Sequence, residues 1–154
     1  MFITVLFAQT LKSQTYNFDV EKLDVNNKPY QWILSFSPDM IESYPVVVDS
    51  TETHTGRYSL RLSKAKNTTS FGSCSIVIPS VYAGEEIVLR GFLKTKNVKN
   101  GYAGLWMRLD GKDKTLGFNN MSNRSIKGTN DWHEFSITLN FSEEVKNINV
   151  GACL

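Results

Sequence analysis

Histidine and cysteine are scarce in this chain of 154 residues, with two of each. His54 and His133 are the side chains whose ordinary titration makes them neutral-pH bases, and they stand far apart in sequence. His133 is followed by Glu134, but successive residues of a strand point to opposite faces, so the two cannot work as a pair there. Two scattered cysteines and two scattered histidines have no zinc-ligand spacing. Also missing are a nucleophile elbow, a His-Glu metal helix, a Walker loop and a Rossmann glycine run. The carboxylate doublets Glu85-Glu86 and Glu143-Glu144 fall in apparent turns and read as solvated charge. The residues therefore favour an enzyme, a hydrolase for instance, least of the function classes.

Long apolar runs and a charge surplus are lacking too. No run approaches the roughly 20 residues that span a bilayer. The 17 Lys and Arg against 15 Asp and Glu leave a net charge of +2, and the cations are dispersed rather than gathered in a stripe, so no nucleic-acid partner is expected. The opening MFITVLFAQTLKSQ has no positive segment before its apolar run and is not a complete secretory signal. Residues 1–14 are read as a signal-peptide remnant or disordered leader, with a short first strand as the alternative. The remnant implies an exported protein.

What remains is ordinary for one domain with a real core: 41% hydrophobic and 21% charged residues,. The domain is placed at residues 15–154. Strict alternation marks RYSLRLS, with Tyr58, Leu60 and Leu62 inward, and HEFSITLNF, with Phe135, Ile137, Leu139 and Phe141 inward. Tyr16–Val20, Tyr44–Asp49, Cys74–Ile78, Ile87–Thr95, Tyr102–Leu109 and the closing NINVGACL also read as strands. Glu21–Glu42 reads as a long loop pinned by aromatics, and FSEEVKN as a helical turn at most. About nine short strands with turns between them indicate an all-β sandwich of two antiparallel sheets. Leu154 falls inside an apolar strand pattern, so the sandwich is expected to lack its last strand. Alternation points Cys74 to the apolar face and Cys153 away from it, which argues against a mutual disulfide.

The segments GYAGLWMRLDG, FNNM, IKGTNDW and INVGACL, supported by FDVE, GRYSLRL and LRGFLKTKNV, carry a family resemblance. The chain resembles a carbohydrate-binding-module-like (galactose-binding-like) jelly-roll domain found in front of exported bacterial C-terminal-processing (tail-specific) serine peptidases. Related modules accompany erythromycin-esterase-like and regulatory proteins. The resemblance covers Tyr16 to Leu154 and implies a jelly-roll fold. It also implies a non-catalytic accessory or interaction module whose partner is a downstream catalytic domain. The peptidase's own catalytic residues have no counterpart here. Where the family commonly has Asp, this chain has Asn119, which weakens any acid or metal role at that position. By the same resemblance Asp19, Glu21 and Asp49, near Gly56, occupy the places of a structural calcium site, whose oxygen ligands suit that ion. No other cofactor is implied.

Sugar binding is the alternative function. On the strand Tyr102–Leu109, Ala103, Leu105, Met107 and Leu109 form a core face, and Tyr102, Trp106 and Arg108 share the other. An aromatic plate beside a guanidinium suits a pyranose, whose C–H face stacks while its hydroxyls meet fixed donors. Arg90 on the preceding strand, and Asn119, Asn120 and Arg124 on the following loop, are candidate additions. Against this stands a packed reading, in which the loop Gly117–Gly128 folds over the face and buries Trp106 and Met121. A loop of that length either has a function or is held down by its own side chains, and the covered face is the preferred reading.

Overall fold

A computed structural model of the chain describes residues 16–66 and 71–154. The leader assigned to residues 1–14 lies outside the described residues. In chain order the elements are β1 (Trp32–Ile33), α1 (Pro38–Ser43), β2 (Val46–Asp49), β3 (Ser59–Leu62), β4 (Ser73–Pro79), β5 (Glu86–Asp110), β6 (Thr115–Asn119), a 3-10 turn (Ser122–Arg124), β7 (Ile126–Asn140) and β8 (Asn147–Cys153). The fold is an all-β antiparallel sandwich, as the alternation indicated.

One layer has the strand order β1-β4-β8-β5-β6, with β8 paired on both sides: Ile76↔Val150 toward β4 and Met107↔Val150 toward β5. β8 is thus an interior strand, and the final residue is bonded as well, since Leu154 and Gly72 exchange N–H···O bonds of 3.0 and 2.9 Å. The second layer is the first half of β5 paired with β7, from Glu86↔Asn140 to Leu93↔His133. β5 spans 25 residues and serves both layers. The turn-like composition of KNVKNG predicts a division into two strands. That stretch instead continues the strand through register shifts between Leu93 and Ala103, with Asn97 in the left-handed region (φ 56°) and its N–H bonded to the Thr129 hydroxyl. Bulges of this kind bend a strand without ending it.

Alternation decides what meets in the middle. Ile76, Ile78, Leu105, Met107, Leu109, Ile148 and Val150 of the first layer face Leu89 and Ile137 of the second, and Met121, Ile126, Phe141 and Val145 close the rim. The β2–β3 hairpin pairs with neither layer; its register, Val46↔Leu62 to Asp49↔Ser59, is internal.

Two local expectations differ. Tyr16–Val20 is not a strand. Its Asn17 is buried, and the side-chain amide donates to the Lys22 and Tyr30 carbonyls (2.8 and 3.0 Å) and accepts from the Lys22 N–H (2.9 Å), with Val20 turning through φ 63°. A central asparagine that supplies its own backbone partners makes a turn, not a ladder. Within the supposed loop Glu21–Glu42 lies the start of α1, with Ser37 as N-cap, Pro38 in the first turn and Asp39 behind it, the usual opening chemistry of a helix. FSEEVKN forms a single turn, within the limit expected of it, with Val145 N–H bonded to the Ser142 carbonyl.

Candidate functional site

The face expected to meet a sugar is built as alternation placed it, then covered. Across the first layer Ser75, Gly151 and Trp106 stand in one row, and Val77, Asn149, Arg108 and Phe118 in the next. Trp106 retains 6% of its surface. The Phe36 ring meets its indole edge-on, centroids 6.2 Å apart and planes at 64°. The indole therefore offers no open plate for stacking, and the cover includes the segment before α1 rather than the loop Gly117–Gly128 alone. That loop packs elsewhere: Met121 is buried, and its sulfur lies 3.3 Å from the Leu105 nitrogen as an acceptor. Most of the supposed loop is in fact β6, the 3-10 turn and the start of β7.

The polar candidates have structural employment. Arg108 donates twice to the Asp110 carboxylate (3.1 and 3.0 Å), which also accepts from the Asn149 amide (2.8 Å). Asn119 and Asn120 each accept the backbone N–H two residues on, at Met121 (2.9 Å) and Ser122 (3.2 Å), and so fold their own turn. Burial pushes the Tyr102 phenol up, while a bond with Asn120 acts the other way. Arg124 donates to the Ser136 carbonyl on β7 (2.7 Å). Arg90 is on the other layer, opposite Ser136, and does not join the Trp106 face.

Among the described residues, no three His, Cys, Asp or Glu side chains, Asp19, Glu21 and Asp49 included, are placed to hold a metal ion together. Their carboxylates anchor backbone instead. Asp19 accepts the Glu21 N–H (3.3 Å). Glu21 Oε1 accepts the N–H groups of Arg57 (2.7 Å) and Tyr58 (3.1 Å), and Oε2 the Arg57 Nε (3.1 Å); the Arg57 amide in particular holds its pKa below the usual range. The contact explains Gly56 (φ 71°), where a side chain would collide with the Glu21 carboxylate. Asp49 accepts from the Thr51 hydroxyl (2.7 Å) and amide (2.8 Å) and pairs with Arg61 (3.3 Å), and those Thr51 bonds lower its pKa first of all.

The thiols lie as expected. Cys74 and Cys153 are both free, opposite Ala152 and Ser73 respectively, and so on opposite faces. Burial pushes each up to about 11.

A feature with no mark in the sequence is a cavity of about 100 Å³ between the β2–β3 hairpin and the end of the sandwich. Trp32, Tyr58, Phe92 and Trp132 line it together with Leu62 and Ala152. At its rim the Lys94 ammonium pairs with Glu52 (2.9 Å) and Asp131 (3.3 Å). Beside these pairs the His54 ring lies flat on Phe92, centroids 3.8 Å apart, and meets Trp132 edge-on at 5.8 Å. These walls come from five separate stretches of chain, so no local pattern marks them. A wider depression of about 560 Å³, open to solvent, lies between the turns at Gly111–Lys114 and Glu143–Lys146, and charges of both signs line it.

No protein-family model matches the chain. Over 139 residues, 87% of the chain, it is 32% identical to a curated relative from Bacillus subtilis (strain 168) whose name is uncharacterized HTH-type transcriptional regulator YbfP. The match covers 46% of that relative, so the chain spans about half the length of the curated protein it matches. Among the described residues the helical elements are α1 and one 3-10 turn. These do not form a helix-turn-helix, which needs two helices joined by a short turn.

Proposed function

We propose that this chain is a non-catalytic β-sandwich sensing and interaction module of a larger bacterial regulator. The observation that carries the reading is the match of nearly the whole β domain to less than half of a protein named for a helix-turn-helix. A domain whose regular structure is nearly all strand then corresponds to the part of the relative outside that motif. On this reading the β domain receives a signal or a partner. The accessory role implied by the family resemblance is kept, and the parent protein is where this reading differs, a regulator in place of an exported peptidase. Positive placements support a non-catalytic role: His54 is committed to a ring stack, and Glu21 and Asp49 to backbone amides. The carbohydrate reading on Tyr102 and Trp106 is not carried forward, because the indole is buried with the Phe36 ring set edge-on against it.

Location separates the two parents. With the protein tagged at its chromosomal locus, formaldehyde cross-linking and immunoprecipitation should recover discrete DNA segments from the cell interior. Recovery in the periplasmic or secreted fraction, bound to a peptidase and without DNA, would overturn the regulator reading.

A further inference from the structure

We propose that the cavity beneath the β2–β3 hairpin is a binding site for a small, uncharged apolar ring of about benzene size, with the hairpin as its lid. The proposal deepens the sensing reading above and rests on it for its purpose, not for its chemistry.

The walls select the ligand class. Trp32, Tyr58, Phe92 and Trp132 surround the space with ring surface, and Leu62 and Ala152 add aliphatic carbon. Three of the polar groups nearby already have partners. The Trp32 indole N–H donates to the Asn17 carbonyl at 2.7 Å, the Ser59 hydroxyl to the Glu52 carbonyl at 2.7 Å, and the Lys94 ammonium is held by Glu52 and Asp131. A sugar would leave several hydroxyls unpaired there, and a charged ligand would give up its hydration without compensation. Aromatic rings instead gain from edge-to-face and offset contacts with such walls.

Volume sets the size. The cavity, about 100 Å³, is somewhat smaller than an engineered apolar cavity of about 150 Å³ that stays dry and takes benzene or xenon. It is well below the range of about 300–1,000 Å³ that holds drug-sized molecules. Xenon fits with the roof in place, whereas benzene needs a small outward shift.

The roof is made for such a shift. β2 and β3 bond to each other and to neither layer, so the hairpin can rise without breaking a ladder. Its latches are the Lys94–Glu52 ion pair, the His54–Phe92 stack and the Glu21 bonds to Arg57 and Tyr58. The exposed Lys94–Glu52 pair restrains little, and the Glu21 bonds to the two amides are the firmest of the three.

Thermal unfolding and ¹H–¹⁵N NMR of the 154-residue chain test the site with three probes: benzene, xenon under pressure and methyl glucoside. Benzene at about ten times its Kd should raise Tm by about 3–6 °C. The indole resonances of Trp32 and Trp132 should shift with benzene and xenon but not with the glucoside. Ala152→Leu and Leu62→Phe each fill the space; whichever folds should lose the benzene response, while Phe118→Ser, on the outer face, should keep it. The site is refuted by unchanged indole resonances with both apolar probes, by a response that survives filling, or by a glucoside response equal to that of benzene. If binding is observed without the DNA recovery described above, the site stands and the regulator reading falls. If DNA is recovered but neither apolar probe binds, the regulator reading stands and the site falls.

Discussion

Glu21 ties the N-terminal segment to the turn that starts β3, and its removal is the sharpest test of that tether. Its Oε1 receives two backbone N–H groups from residues 36 and 37 positions away in sequence, and its Oε2 meets an Arg57 side chain that is 74% exposed. A hydrogen bond to a charged group contributes about 1.5–3 kcal/mol. Partial exposure places these two amide bonds at or below the low end, so Glu21→Ala should cost about 2–3 kcal/mol together. For a chain of this size that is a Tm fall of about 4–12 °C. Glu21→Gln keeps an oxygen where both amides point but loses its charge and the exposed arginine partner, so it should cost about 1 kcal/mol, less than Glu21→Ala. Because the folded carboxyl has a lowered pKa, its contribution is present above the unfolded value of about 4.3 and disappears as pH falls through the folded pKa. The gap between wild type and Glu21→Gln, which cannot titrate, should therefore narrow below about pH 4. Urea unfolding of the three proteins at several pH values measures all of this. A Glu21→Ala chain as stable as wild type, or a Glu21→Gln chain equally damaged, would refute the tether.

Other expectations follow from packing and burial. Gly151→Ala would drive a methyl group into the Cys74 carbonyl oxygen on the neighbouring strand, and should cost about 1–3 kcal/mol or more in urea unfolding. Trp106→Ala should cost about 3–5 kcal/mol and leave any sugar affinity of the chain unchanged, as isothermal titration would check. Ser37→Ala removes the N-cap of α1 and should cost about 1 kcal/mol. Cys74 and Cys153, with thiols pushed up to about 11, should react with a disulfide reagent at pH 7.5 far more slowly in the native protein than in urea.

Much of the sheet framework was legible because alternation is a local signal. It assigned Ala103, Leu105, Met107 and Leu109 to the core and Tyr102, Trp106 and Arg108 to the other face, and it set the two thiols apart. What it could not see were contacts between distant stretches. Phe36 reaches Trp106 across about 70 residues, and a loop segment without periodicity gives no hint of that target. The Glu21–Gly56 contact looks, in sequence, like a carboxylate and a turn glycine, which suit a cation as well as a backbone amide. KNVKNG has turn composition, yet bulges with Asn in the left-handed region carried the strand through it. Asn17 was hidden because a five-residue alternation cannot distinguish a strand from an asparagine that bonds its own turn.

Hydrogen exchange with the cavity occupied tests the sensing account most directly. With benzene bound, amides of the hairpin at Val46–Asp49 and Ser59–Leu62 should change their exchange several-fold beyond the general slowing that the Tm rise implies for the core strands β4 and β8. Unchanged rates across the hairpin, or a hairpin change no larger than the slowing of both layers, would contradict a lid that reports on its cavity.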